Sequence, residues 1–69
     1  MPNTMTPTKQ AENVIANLFV TRKYITLADD IRAAFELQPE LRPFKTFAVW
    51  NLRMRGELER VAPGVYRKA

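Results

Sequence analysis

The chain has 69 residues, a net charge of +4, 46% hydrophobic residues, and neither Cys nor His. That length accommodates one domain with a small core. The missing residue types exclude disulfides, thiolate metal sites, and the commonest general base and zinc ligand.

The hydrophobic fraction suits a packed core rather than a disordered chain. No apolar run approaches the roughly 20 residues that span a bilayer. The opening MPNTMTPTKQ has no basic stretch followed by an apolar one, so no secretory signal is expected. A cytoplasmic location without membrane contact is the default reading. The charge is unevenly placed. In residues 1–37, Lys9, Arg22, Lys23 and Arg32 balance Glu12, Asp29, Asp30 and Glu36, so the whole excess of +4 falls in residues 38–69. Such asymmetry points to a polyanionic partner for the second half.

Residues 1–5 read as a disordered terminus and 6–69 as a single domain. Thr6-Pro7 opens a first helix, with the hydroxyl as cap and the proline at the first helical position. Ala11, Val14, Ile15, Leu18 and Phe19 then recur at helical spacing as one apolar stripe facing the core. Lys9, Gln10, Glu12, Asn13 and Asn17 are expected to face away. Tyr24-Ile25-Thr26 has the composition of a very short strand able to pair with a C-terminal hairpin. Thr26 caps a second helix in a capping-box-like Thr26-x-x-Asp29. Asp29 and Asp30 lie in its first turn, where the helix dipole favours acids. Leu27, Ile31, Ala34 and Phe35 form its buried stripe. Pro39 disfavours helix at Gln38, so Leu37–Leu41 is a connection whose two leucines pack down on the core.

Pro43 suits the first position of a third helix that runs to about Arg55 and stops at Gly56. At about 100° per residue, Phe44, Phe47, Ala48, Asn51, Leu52 and Arg55 share one side, with Phe44, Ala48 and Leu52 at its centre. Lys45, Thr46, Val49 and Arg53 fall on the opposite arc, and Trp50 lies at the edge, assigned to the core. Arg55, on the core side near the helix end, suits the C-terminal carbonyls. Two β-prone runs, Glu57–Val61 and Val65–Lys68, flank Ala62-Pro63-Gly64, a turn signal with a three-residue spacer. Leu58 and Tyr66 are the inward residues, and Arg60, Arg67 and Lys68 point outward. The chain has no Ser, no glycine-rich phosphate loop and no converging set of oxygen ligands in its spacing. No enzyme, metal or cofactor is therefore expected.

The order helix, strand, helix, helix, strand, turn, strand resembles the winged helix-turn-helix family over residues 8–68. The most telling piece is Leu52-x-x-x-Gly56-Glu57-Leu58-Glu59-Arg60-Val61 followed by Pro63-Gly64-Val65-Tyr66. The GVYR close is most similar to the N-terminal winged-helix domains of abortive-infection antitoxins and related small prokaryotic or phage regulators. The resemblance implies a mostly α fold with a small β-hairpin, and a transcriptional regulator that binds double-stranded DNA. Helix 43–55 would lie in the major groove and hairpin 57–68 would act as the wing. Lys45 and Arg53 would then reach guanine or phosphate, Thr46 a phosphate or base, and Val49 a thymine methyl. Arg60, Arg67 and Lys68 would supply attraction to the phosphates. A domain this small contacts few base pairs, so a homodimer or larger assembly is implied for specific binding. The alternative is a winged-helix adaptor or phage-type inhibitor that meets an acidic protein through Val49, Trp50 and Arg53 and binds no DNA.

Overall fold

The computed structural model describes residues 6–69; the disordered segment expected at 1–5 lies outside the described residues. The elements run α1 (Pro7–Leu18), β1 (Tyr24–Thr26), a π-helical turn (Leu27–Ile31), α2 (Arg32–Glu36), a 3-10 helix (Pro39–Phe44), α3 (Lys45–Met54), β2 (Leu58–Ala62) and β3 (Val65–Lys68). Three helices and a three-stranded antiparallel sheet in the order β1-β3-β2 make an α+β fold, mostly helical and compatible with a winged-helix-like architecture.

The helix starts follow local chemistry. The Thr6 side chain accepts from the Lys9 amide at 3.2 Å, and Pro7 sits in the first turn of α1. Thr26 accepts from the Asp29 and Asp30 amides. The reciprocal carboxylate is Asp30, not the expected Asp29: its Oδ2 accepts from the Thr26 amide at 2.9 Å. The first turn is π-wound, so the residue that folds back onto the cap lies one position later. Asp30 is also ion-paired with Arg22, which ties the loop after α1 to the start of the second helical segment.

The core gathers Ala11 and Ile15 from α1, Ile25 from β1, Ile31 and Phe35 from the second segment, Leu41 from the 3-10 helix, Ala48, Val49 and Leu52 from α3, and Leu58 and Tyr66 from the hairpin. Val14, Leu18, Phe19, Leu27 and Phe44 pack against its rim. Of the two connection leucines expected to pack down, Leu41 does so, whereas Leu37 is 83% exposed. α2 ends at Glu36, so Leu37 follows the last residue of the buried stripe and has no element over it. The 3-10 helix absorbs Pro43, and α3 starts at Lys45, two residues later than expected.

α3 stops as anticipated. Gly56 adopts φ +76°, its amide bonds to the Arg53 carbonyl at 3.0 Å, and the Glu57 amide reaches the Leu52 carbonyl at 2.9 Å. This is a Schellman closure, in which a left-handed glycine lets the chain turn back and occupy the last helical carbonyls. The chain enters β2 two residues later. β1 pairs with β3 with Ile25 opposite Tyr66, and β2 pairs with β3 with Arg60 opposite Tyr66 and Glu59 opposite Arg67. The hairpin loop is Pro63-Gly64 alone, because Ala62 remains in the ladder opposite Val65. Gly64 has φ +74°. Proline followed by a positive-φ glycine suits a turn that splays the strands, and an irregularity between Arg60 and Ala62 takes up the mismatch. The Leu27 amide bonds the Gly64 carbonyl at 2.7 Å, anchoring the hairpin turn to the second helical segment. Beyond Leu58 every residue of β2 is exposed, so this strand leaves the core as a wing.

Candidate nucleic-acid interface

α3 presents one face outward and the hairpin flanks it. The buried arc of the helix is Ala48, Val49 and Leu52. Its centre matches the periodicity, but its flank does not. Val49, expected on the outward arc, is 7% exposed. It lines a small cavity of about 150 Å³ with Leu27, Thr46, Trp50, Arg53 and Tyr66. Leu27 of the second helical segment and Tyr66 of β3 lie beside it, and Val49 belongs to the core cluster and not to the outward arc. Phe47, expected on the core side, is 57% exposed, and Trp50, assigned to the core, is 53% exposed. With Met54 at 67% they form an uncovered apolar stripe at i, i+3 and i+7.

The expected cationic set divides three ways. Arg53 lines a groove of about 580 Å³ between the C-terminal half of α3 and β2, together with Trp50, Met54, Leu58, Arg60 and one carboxylate, Glu59, which Arg67 engages. Residues opposite one another in a ladder share a face, and Arg60 stands opposite Tyr66, so it belongs to the inner face of the sheet, toward α3. Arg67 belongs to the outer face and is ion-paired with its cross-strand neighbour Glu59. Lys68, opposite Leu58, lines a cleft of about 190 Å³ with Ile15, Ala16 and Phe19 of the α1 side. Arg67 and Lys68 also border a separate cleft of about 320 Å³ with Arg22, Lys23 and Tyr24. Thr46 is exposed on the flank of α3 next to Trp50 and Arg53. Lys45, expected on the outward arc, is half-buried in the first turn of α3 and precedes the buried Ala48, Val49 and Leu52 by three, four and seven residues, which places it on the core side of the helix.

Ion pairing sharpens the division. Among the described residues Lys9, Arg22, Arg32, Arg55 and Arg67 each have a carboxylate within 4 Å. Lys23, Arg42, Lys45, Arg53, Arg60 and Lys68 have none among the described residues. Arg53 and Arg60, the two cations of the groove beside α3, are among those left without an anion, as are Lys23 and Lys68 toward the other edge of the sheet.

Arg55 is held by the fold. Its Nη2 donates to Glu12 Oε1 at 2.6 Å and its Nε to Glu57 Oε2 at 2.8 Å. Glu12, expected to face solvent, is buried and also accepts from Asn51 Nδ2 at 3.3 Å. The Arg55 hydrogen bond holds the Glu12 carboxyl below the usual glutamate range, against the opposing effect of burial, and Asn51 adds to it. The same guanidinium lowers Glu57, chiefly by its hydrogen bond, and is itself raised by the two carboxylates, Glu12 first. Arg55 thus clips α1 to the end of α3 instead of serving the terminal carbonyls. The signal was present in the sequence: a cation on the core side of a helix requires a buried anion.

No group of three or more acidic side chains among the described residues is placed to hold a metal ion. No helix among them is long and apolar enough to cross a membrane. Comparison of the chain with family models, with curated proteins and with solved structures finds no match.

Proposed function

We propose that this chain is a small winged-helix DNA-binding protein, a cytoplasmic transcriptional regulator that lays α3 in the major groove and β2–β3 along the backbone. The observation that carries the reading is the shared groove in which Arg53 and Arg60, neither with an anionic partner among the described residues, meet from α3 and the hairpin. Cations left unpaired beside an outward helix face suit phosphates, and their release of counterions makes binding salt-dependent. Thr46, beside Trp50 and Arg53, extends that surface along α3. A homodimer or larger assembly would supply the contacts that one small domain lacks.

A second reading, a protein-binding adaptor, is favoured by the stripe Phe47, Trp50 and Met54, since contiguous exposed apolar side chains mark interaction surfaces. Titration of a mixed-sequence duplex at several salt concentrations separates the two. With Arg53 and Arg60 on phosphates, log affinity should fall against log salt with a slope of about −2 or steeper. Absence of binding at low salt would reject the DNA reading and leave the adaptor.

A further inference from the structure

The apolar stripe on α3 shares a groove with the unpaired Arg53 and Arg60, and it has a chemical counterpart in duplex DNA. Phe47, Trp50 and Met54 are each more than half exposed, and hydrogen-bonding groups beside them are few. Asn51 is occupied by Glu12, while Thr46 and Arg53 sit on the flank toward the sheet. Such a surface has little with which to read the donors and acceptors of base edges. The major groove also offers one apolar group, the C5-methyl of thymine, which cytosine lacks.

We infer that the α3 face reads pyrimidine C5-methyl groups, so that its preferred duplex is rich in thymine or carries 5-methylcytosine. The inference rests on the DNA-binding reading above. Charge complementarity selects the occupant: the cations bordering the stripe, Arg53 and Arg60, suit phosphate strands and would repel one another across a contact between two copies of this face. The rise from Phe47 to Met54 is about 10 Å. That spans about three base-pair steps, so two or three methyl groups fall within its reach. Burying one methyl is worth about a fourfold change in affinity.

The test uses the full chain with two pairs of short duplexes. One pair is A·T-rich and carries either thymine or uracil. The other is G·C-rich and carries either cytosine or 5-methylcytosine. The methylated member of each pair should bind about tenfold more tightly, as expected for two methyls partly buried. The double variant Phe47→Gln, Trp50→Gln changes only exposed side chains. It should retain salt-dependent binding while its preference for either methylated duplex falls to one. Equal affinity within both pairs overturns the inference and leaves DNA binding standing. A thymine preference without a 5-methylcytosine preference also overturns it, because the same methyl group on a G·C pair is then not recognised. So does a preference that survives the double variant. Binding to none of the four duplexes at low salt overturns the inference and the DNA reading together, and assigns the stripe to a protein partner.

Discussion

At the scale of single residues, the arrangement with most to lose is Glu12–Arg55. A buried carboxylate is tolerable because the guanidinium and Asn51 replace the water it gave up. The two partners are not equivalent. Removing Glu12 leaves Arg55 with Glu57 and solvent, whereas removing Arg55 leaves the buried carboxylate with Asn51 and the more distant, exposed Lys9. Arg55→Ala should therefore lower the melting temperature more than Glu12→Gln, and far more than Glu57→Ala; equal shifts would show that Glu12 is solvated. The pH dependence has a definite sign. Glu12 and Glu57 both have folded values below the ordinary one, so the unfolded chain binds more protons in the interval between. Their contribution is fully present above the ordinary glutamate value of about 4.3 and is lost as pH falls through the lower folded values. Melting curves from neutral to acid should bring wild type and Arg55→Ala together; a gap that stays constant would assign the stabilisation to something other than these carboxylates. Neither Glu12 nor its partner was legible from α1 alone, because its periodicity marks Glu12 as polar and carries no record of a residue on α3.

At the scale of elements, the parts governed by near neighbours were legible and those governed by distant ones were not. Thr6, Pro7, Thr26 and Gly56 mark helix ends through bonds within a few residues, and each does so in the fold. Leu58 and Tyr66 follow from alternation along a strand. The outward side of α3 depends on which flank the sheet covers, information that lies outside residues 45–54. A wheel could therefore locate Ala48 and Leu52 but exchange the surroundings of Val49 and Phe47. Two substitutions test these elements. Gly56→Ala meets no atom within 4 Å, so any cost comes from its φ of +76° rather than from a clash. Loss of about 1 kcal/mol is expected in denaturant unfolding, with Gly56→Asn milder because asparagine tolerates the left-handed region. No loss with alanine would mean that the Schellman turn can open freely. In the connection, Leu41→Ala should cost about 2–5 kcal/mol through its cavity. Leu37→Ala, at an exposed position, should change stability by less than about 0.5 kcal/mol. Similar values for both would mean that Leu37 is covered in solution.

At the scale of the whole molecule, the distribution of unpaired charge decides where a polyanion would sit. Net charge placed the excess in the second half of the chain, but the placement of each cation, and the pairing of Arg55 and Arg67, divide that half by face. Arg67 is ion-paired to Glu59 on the outer face of the sheet, and Lys68 lines the α1 side, while Arg53 and Arg60 converge on the groove beside α3. Strand alternation is what separates Arg60 from Arg67. Arg60 stands opposite Tyr66, whereas Arg67 lies one residue beyond Tyr66 on the same strand and so points the other way. If DNA lies against α3, these arginines must differ in effect. Each phosphate contact that is lost lowers the steepness of the salt dependence by about one unit. Arg53→Ala and Arg60→Ala should each flatten the slope by that amount and weaken binding across unrelated sequences, with the melting temperature little changed because neither residue has an ion-pair partner to strand. Arg67→Ala should leave both slope and affinity near wild type, since its charge is already engaged by Glu59 on the far face. Titrations of the three variants against one duplex over a range of salt measure this directly. A flattened slope for Arg67→Ala beside an unchanged one for Arg53→Ala would move the duplex from α3 to the outer face of the sheet, toward Arg22, Lys23 and Tyr24.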